Sequence, residues 1–176
     1  NYLGKSLDIY GLDVREKVIL KAASRGPVVT AVRGESVGTR LAHVTLTGGS
    51  GGYGSALYVD RAVFTLEDAV VRDNGSASST FYQSGAAVRI IDVRAYDNTT
   101  SSRQGMEFYA NDGSMHIQGL DLTCGSTVYG IYQHVDLLMT DSTLDCPKAQ
   151  YGVTVNGGEA HIRRSRIEAD SVGIYA

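Results

Sequence analysis

Apolar and polar residues alternate in short runs of three to five, as in Phe64-Thr65-Leu66 and Met115-His116-Ile117. That is the period-two signature of strands, not the 3.6-residue period of helices. The runs recur along the chain. From Gly26 onward a run opens at Val28, Leu57, Phe81, Met106, Ile131, Val153 and Ile174, at separations of 29, 24, 25, 25, 22 and 21 residues. A second landmark falls at Leu66, Ile90, Ile117, Met139 and Ile162, and five residues beyond each stand Val71, Ala95, Leu122, Leu144 and Ile167. The clearest copies lie in Gly130–Ala176, where a Gly followed by a β-branched residue returns at Gly130, Gly152 and Gly173. Such a period, with Gly- and Asp-rich turns, predicts a solenoid of parallel strands. Each coil supplies three short strands, cannot bury its inner face alone, and stacks on the next at about 4.8 Å.

The first 25 residues read as an irregular N-terminal coil of one domain spanning 1–176. Alternation over Ser6–Tyr10 predicts a strand, Gly11 a turn, and Lys17–Leu20 a second strand. A helix over Asp13–Ala23 competes, with Asp13 as N-cap and Glu16 in the capping-box position.

The phrase GKSLDIYG at 4–11, the coil GSALYVDRAVFTLEDAVVRDN at 54–74 and the repeated GIY and GVT starts make nearly the whole chain resemble the right-handed parallel β-helix proteins of the pectate-lyase-like superfamily. The resemblance implies an all-β, right-handed parallel β-helix of about six to seven coils, a hand that the general preference for right-handed parallel crossovers also favours. It implies little about activity, because this fold carries lyases, hydrolases, adhesins and scaffolds.

Alternation places one outward residue after each run start. If Leu57, Phe81, Met106, Ile131, Val153 and Ile174 face inward, the outward column reads Tyr58, Tyr82, Glu107, Tyr132, Thr154 and Tyr175. Two residues on it reads Asp60, Ser84, Tyr109, His134 and Asn156. Aromatic faces beside hydroxyl, amide, carboxylate and imidazole groups suit an extended glycan. The candidate ligand-binding set is therefore Tyr58, Asp60, Tyr82, Glu107, Tyr109, Tyr132, His134 and Tyr175. Tyr residues stacked between coils serve packing equally well, and Tyr is also frequent at protein interfaces. Three longer connections, Gly48–Tyr53, Asn74–Thr80 and Asn98–Gln104, share one phase and are expected to project as mobile loops that wall a groove.

Catalysis on this face needs paired carboxylates or an acid-neutralising cation with a base. The candidates are Asp60, Glu107, Asp112 and His134, but Asp60 and Glu107 stand two coils, roughly 10 Å, apart. No catalytic residue is assigned. Asp68, Asp92 and Asp141 share a turn phase that invites a calcium column, but Gly119 and Arg164 break it and Asp favours such turns by itself. His116 and His161 share an outward phase with Leu138 between them. No metal or cofactor is expected.

Cys124 and Cys146 each lie seven residues after their landmark, so they occupy the same place in consecutive coils. They are a candidate inter-coil disulfide in an oxidising compartment, or a buried pair in a reducing one. Asn74 and Asn98 likewise share a phase and predict a two-rung amide ladder.

Composition bounds the partners. At 43% hydrophobic and 20% charged the 176-residue chain can bury a core, and a net charge of −3 does not mark a nucleic-acid binder. No apolar run is long enough for a membrane-spanning helix. The chain stops on the first strand of a new coil, which predicts a piece of a longer polypeptide or end-to-end association. The leading expectation is a non-catalytic, extracytoplasmic module, bacterial in flavour, that binds glycan or protein through its Tyr-lined face. The alternatives are a polysaccharide lyase or glycoside hydrolase, and a structural subunit docking through open ends.

Overall fold

The computed structural model describes residues 5–176. Residues 1–4, which begin the expected N-terminal coil and include Gly4 of the GKSLDIYG phrase, lie outside it. The described residues form nineteen strands and no helix, β1 (Asp8–Tyr10) to β19 (Val172–Tyr175), and the strands pair in parallel. They build a parallel β-solenoid of about seven turns with three strand columns. Column one stacks β3 (Val29–Ala31), β6 (Leu57–Asp60), β9 (Ser79–Ile91), β12 (Met106–Gln118), β14 (Tyr129–Thr140), β16 (Tyr151–Val155) and β19. Column two runs from β1 through β4 (Arg40–Thr47), β7 (Val63–Arg72), β9, β12 and β14 to β17 (Ala160–Arg163). Column three runs from β2 (Ile19–Lys21) through β4, β7, β10 (Arg94–Tyr96), β13 (Asp121–Thr123) and β15 (Thr143–Cys146) to β18 (Arg166–Ala169). The helix considered over Asp13–Ala23 does not form; Asp13–Lys17 is a turn between β1 and β2, closed by Lys17 N–H donating to Val14 O.

The core is the inward half of each alternation. Leu41, Leu66, Ile90, Ile117 and Met139 line column two, and Leu46, Val71, Ala95, Leu122 and Leu144 line column three, all at most 2% exposed. Coils turn between columns two and three on a left-handed residue at every described level from β4 onward: His43, Asp68, Asp92, Gly119, Asp141 and Arg164, with φ between 42° and 67°. This is why Asp recurs there. A short polar side chain tolerates the left-handed region by bonding locally. At Gly119 a Cβ would also lie 2.2 Å from Asp92 Oδ1.

The column-one register differs from the sequence reading at two levels. Val29, not Val28, pairs with Leu57, and Phe108, not Met106, stacks on Phe81, ring centroids 4.0 Å apart. Met106 and Phe108 are both apolar at period two, so alternation does not choose between them. Close packing of two buried Phe rings does.

The corner between columns three and one carries the inter-coil bonds. Asn74 Oδ1 accepts Gly49 N–H at 2.9 Å, Asn98 Oδ1 accepts Asn74 N–H at 3.2 Å, and each Nδ2 donates to a carbonyl of β4 or β7, Leu46 O at 3.1 Å and Val71 O at 3.0 Å. Cys124 and Cys146 take over in the next two coils, joined by a disulfide with Cα atoms 4.7 Å apart. The repeated Tyr-Gly phrase follows from the same crowding. A Cβ at Gly130 would lie 2.6 Å from Gly152 O and 3.0 Å from Cys146 Sγ. The three long connections are not loose. They pair as a small parallel sheet of β5 (Ser50–Gly51), β8 (Gly75–Ser76) and β11 (Thr99–Thr100), because their backbone groups fall in step with the coils beneath.

The disulfide closes a loop across 22 residues. Replacing both cysteines with alanine is expected to lower the unfolding free energy by about 3 kcal/mol, measured by denaturant titration. A change near zero would show that the corner is held without it.

Candidate functional site

The corrected register changes the outward face. The residue opposite Tyr82 and Tyr132 is Tyr109, not Glu107. Column one therefore presents Tyr58, Tyr82, Tyr109 and Tyr132 without a break, followed by Thr154 and Tyr175. One pleat further out the column reads Asp60, Ser84, Asn111, His134 and, through the continuing backbone pairing, Asn156. Asn156 Nδ2 bonds the Tyr132 hydroxyl.

Three tyrosines that alternation alone did not flag complete the band. Tyr129 and Tyr151 stand at the bend that opens β14 and β16, and Tyr53 comes from the connection carrying β5. The Tyr-Gly pair that all three share, Tyr53-Gly54, Tyr129-Gly130 and Tyr151-Gly152, was the available signal. Eight of the eleven tyrosines thus form one connected band, with ring centroids 4.8 to 6.1 Å apart.

The band has two kinds of contact. Tyr58 on Tyr82 and Tyr129 on Tyr151 are stacked, with interplanar angles of 17° and 9°. Those faces cover each other, so the rings pack coil on coil. Between the two stacks the regularity breaks. Tyr82–Tyr109 and Tyr109–Tyr132 are tilted by 60° and 52°, Tyr129–Tyr132 by 69° and Tyr132–His134 by 62°. At this break a groove of about 560 Å³ opens. One side is aromatic: Tyr53, Tyr109, Tyr129, Tyr132 and His134, with Met106. The other is small and polar: Gly52, Ala77, Ser78, Ser101, Ser102 and Gln104, all from the stacked connections. Burial and the neighbouring phenols push the Tyr109 and Tyr129 hydroxyls above the usual phenol range, so both remain neutral donors and acceptors.

The remaining candidates sit elsewhere. Tyr58 and Tyr82 flank the groove without lining it, and Tyr175 is at the far end against Tyr151. The Asp60 carboxylate is paired with Arg61 at 3.0 Å. Asp112 is a left-handed corner residue, φ 62°, exposed away from the groove. Glu107, expected on the outer face, is fully buried in the solenoid interior because it lies in register with Thr80 and Gly130. Its Oε1 accepts Gly125 N–H at 3.3 Å, continuing the corner after the Asn rungs. The Thr80 hydroxyl lies near enough to favour the charged form but outside hydrogen-bond geometry, so Glu107 Oε2 and Thr80 Oγ1 are both left without a partner. Burial outweighs both contacts and pushes the carboxyl upward.

Two of the three turn-phase aspartates, Asp68 and Asp141, are engaged with basic side chains of the chain itself. Asp68 meets Arg15 at 3.0 Å and His43 at 2.8 Å, and Asp141 takes a bidentate bond from Arg164 at 2.6 and 2.8 Å. Among the described residues no three His, Cys, Asp or Glu side chains are grouped to hold a metal. His116 and His161 do flank Leu138 in register.

Glu107 generates a pH prediction with a fixed sign. Its folded pKa is raised, so between the unfolded carboxyl value and the folded one the native state holds a proton that the unfolded chain has released. Stability then falls as pH rises through that window, by up to about 1.4 kcal/mol per pH unit. Glu107→Gln keeps the acceptor for Gly125 and removes this slope, so the variant is expected to be more stable than the parent at pH 7 and to converge with it below about pH 4. Unfolding curves at several pH values check this; parallel curves would mean that Glu107 is not held neutral. Compared with protein-family models, with curated proteins and with solved structures, the chain shows no match.

Proposed function

We propose that the chain is a non-catalytic β-solenoid module that binds a glycan in the groove between the tilted tyrosines and the stacked connections. The observation that carries the reading is the break in ring stacking at Tyr109 and Tyr132. A stack covers a ring face, whereas tilted rings in an open groove keep faces free for a ligand; Tyr129 does both, stacked on Tyr151 and lining the groove. A sugar offers an apolar ring face and a rim of hydroxyls, and the groove offers an aromatic side and a side of Ser and Gln groups. Within the pectate-lyase-like superfamily that the sequence resembles, a groove on the face of the solenoid is a natural place for a polysaccharide.

The lyase or hydrolase reading draws less support. Among the described residues that line the groove none is Asp or Glu; Asp60 is tied to Arg61 outside it and Glu107 is buried behind it. The acid–base carboxylate pair that glycoside hydrolysis needs has no counterpart there. An extracytoplasmic setting accords with the Cys124–Cys146 disulfide, since such bonds persist in oxidising compartments.

A glycan array on the parent protein, repeated with Tyr109→Ala/Tyr132→Ala and with Tyr58→Ala, tests the reading. Binding to an extended polysaccharide should fall at least tenfold in the double variant and persist in Tyr58→Ala. The latter loses the stack on Tyr82, worth about 1 kcal/mol beyond the burial of the ring itself, but no lining residue of the groove. Equal loss in both variants would place the ligand along the whole band, and shortened products from the bound glycan would make the chain an enzyme.

A further inference from the structure

The groove has a charge character as well as a shape. Its lining holds four phenols, one imidazole, three serine hydroxyls and one carboxamide, and among the described residues no lysine, arginine, aspartate or glutamate. The polar column beside the tyrosines has the same character. Ser84, Asn111, His134 and Asn156 carry no fixed charge, and the one carboxylate in that column, Asp60, is neutralised by Arg61. Arg103 lies between two lining residues, Ser102 and Gln104, but is exposed and is not itself in the lining.

From this we infer that the groove selects an uncharged polysaccharide over an acidic one; the inference rests on the glycan reading above. A uronate carboxylate entering the groove would surrender hydration without meeting a cation, and leaving a charge unpaired in a partly enclosed site is costly. The chain's net charge of −3 adds a long-range penalty for an anionic polymer. Hydroxyls have the opposite fit. Phenol, serine and carboxamide groups both donate and accept, so they match a hydroxyl in either role. The chemistry is that of a neutral hexose or pentose polymer.

The layout also sets the direction and length of the ligand. Lining residues come from four successive levels: Tyr53 before β6, Ser78 before β9, Gln104 and Tyr109 around the start of β12, and Tyr129 and Tyr132 on β14. Three steps of about 4.8 Å give a groove roughly 15 Å long, parallel to the solenoid axis. About three sugar residues fit that span.

The test is calorimetric titration of the full chain with a panel of neutral polysaccharides, each beside its derivative oxidised at C6 to the uronate, at low and high salt. A neutral polymer is expected to bind at least tenfold more tightly than its uronate partner, with less than a twofold change between the two salt concentrations. Oligomers of that polymer should gain affinity up to about three or four residues and then level off. Gln104→Arg, which sets a cation at the polar side, should narrow or invert the neutral-to-uronate ratio. Uronates binding equally or more tightly, and weakening with salt, would overturn the inference while leaving the glycan reading intact. If neither member of any pair binds, both readings fall.

Discussion

Everything in this molecule depends on the register between consecutive coils. A coil of some 21 to 28 residues has no core of its own; its inward side chains are buried only because the next coil lies about 4.8 Å away and in step. A slip of one residue would turn each inward column to solvent. The sequence therefore spends its most specific chemistry on the coil interfaces. Phe81 lies flat on Phe108, the Asn74 and Asn98 amides bond from one coil to the next, and a disulfide joins the two coils after them. In the later coils Ser142 Oγ accepts Leu120 N–H and Ser165 Oγ accepts Ser142 N–H, so serine hydroxyls also bond one coil to the next.

The candidate site is a place where that register is kept by the backbone but relaxed by the side chains. Tyr58–Tyr82 and Tyr129–Tyr151 show what the tyrosine band does when it only packs: neighbouring rings lie nearly parallel. Between these stacks the connections carrying β5, β8 and β11 rise beside column one, and Tyr53 reaches in from one of them. The rings there tilt and a groove opens. Function, on this account, occupies the interruption of a structural ladder. The strands give most of the aromatic side, Tyr53 joins it from a connection, and the stacked connections give the polar side.

Much of the fold was legible in the sequence, and the exceptions have physical causes. Leu66, Ile90, Ile117, Met139 and Ile162 pair as their spacing predicts, and so do Val71, Ala95, Leu122, Leu144 and Ile167. In those columns most of the inward residues, such as Leu66, Ile117, Leu122 and Leu144, stand between polar neighbours, so periodicity has one solution. Column one is different. Around Met106-Glu107-Phe108 all three residues are buried, alternation fails at the bend, and the connection ahead of it varies in length. That ambiguity placed Glu107 outside and Tyr109 one pleat too far, when the reverse is true. Tyr53 carries the same Tyr-Gly pair as Tyr129 and Tyr151, but its place in the band depends on how one connection folds over the next. Which tyrosines stack and which tilt is a matter of side-chain packing that no spacing encodes.

The central claim is that tilted and stacked tyrosines of one band do different work, and side-chain NMR of the chain carrying labelled tyrosine tests it most directly. On addition of a neutral polysaccharide that binds, the ring signals of Tyr53, Tyr109 and Tyr132 should shift while those of Tyr58 and Tyr151 stay in place. Shifts spread evenly from Tyr58 to Tyr175, or confined to Tyr58 and Tyr151, would contradict the account and return the whole band to a single role.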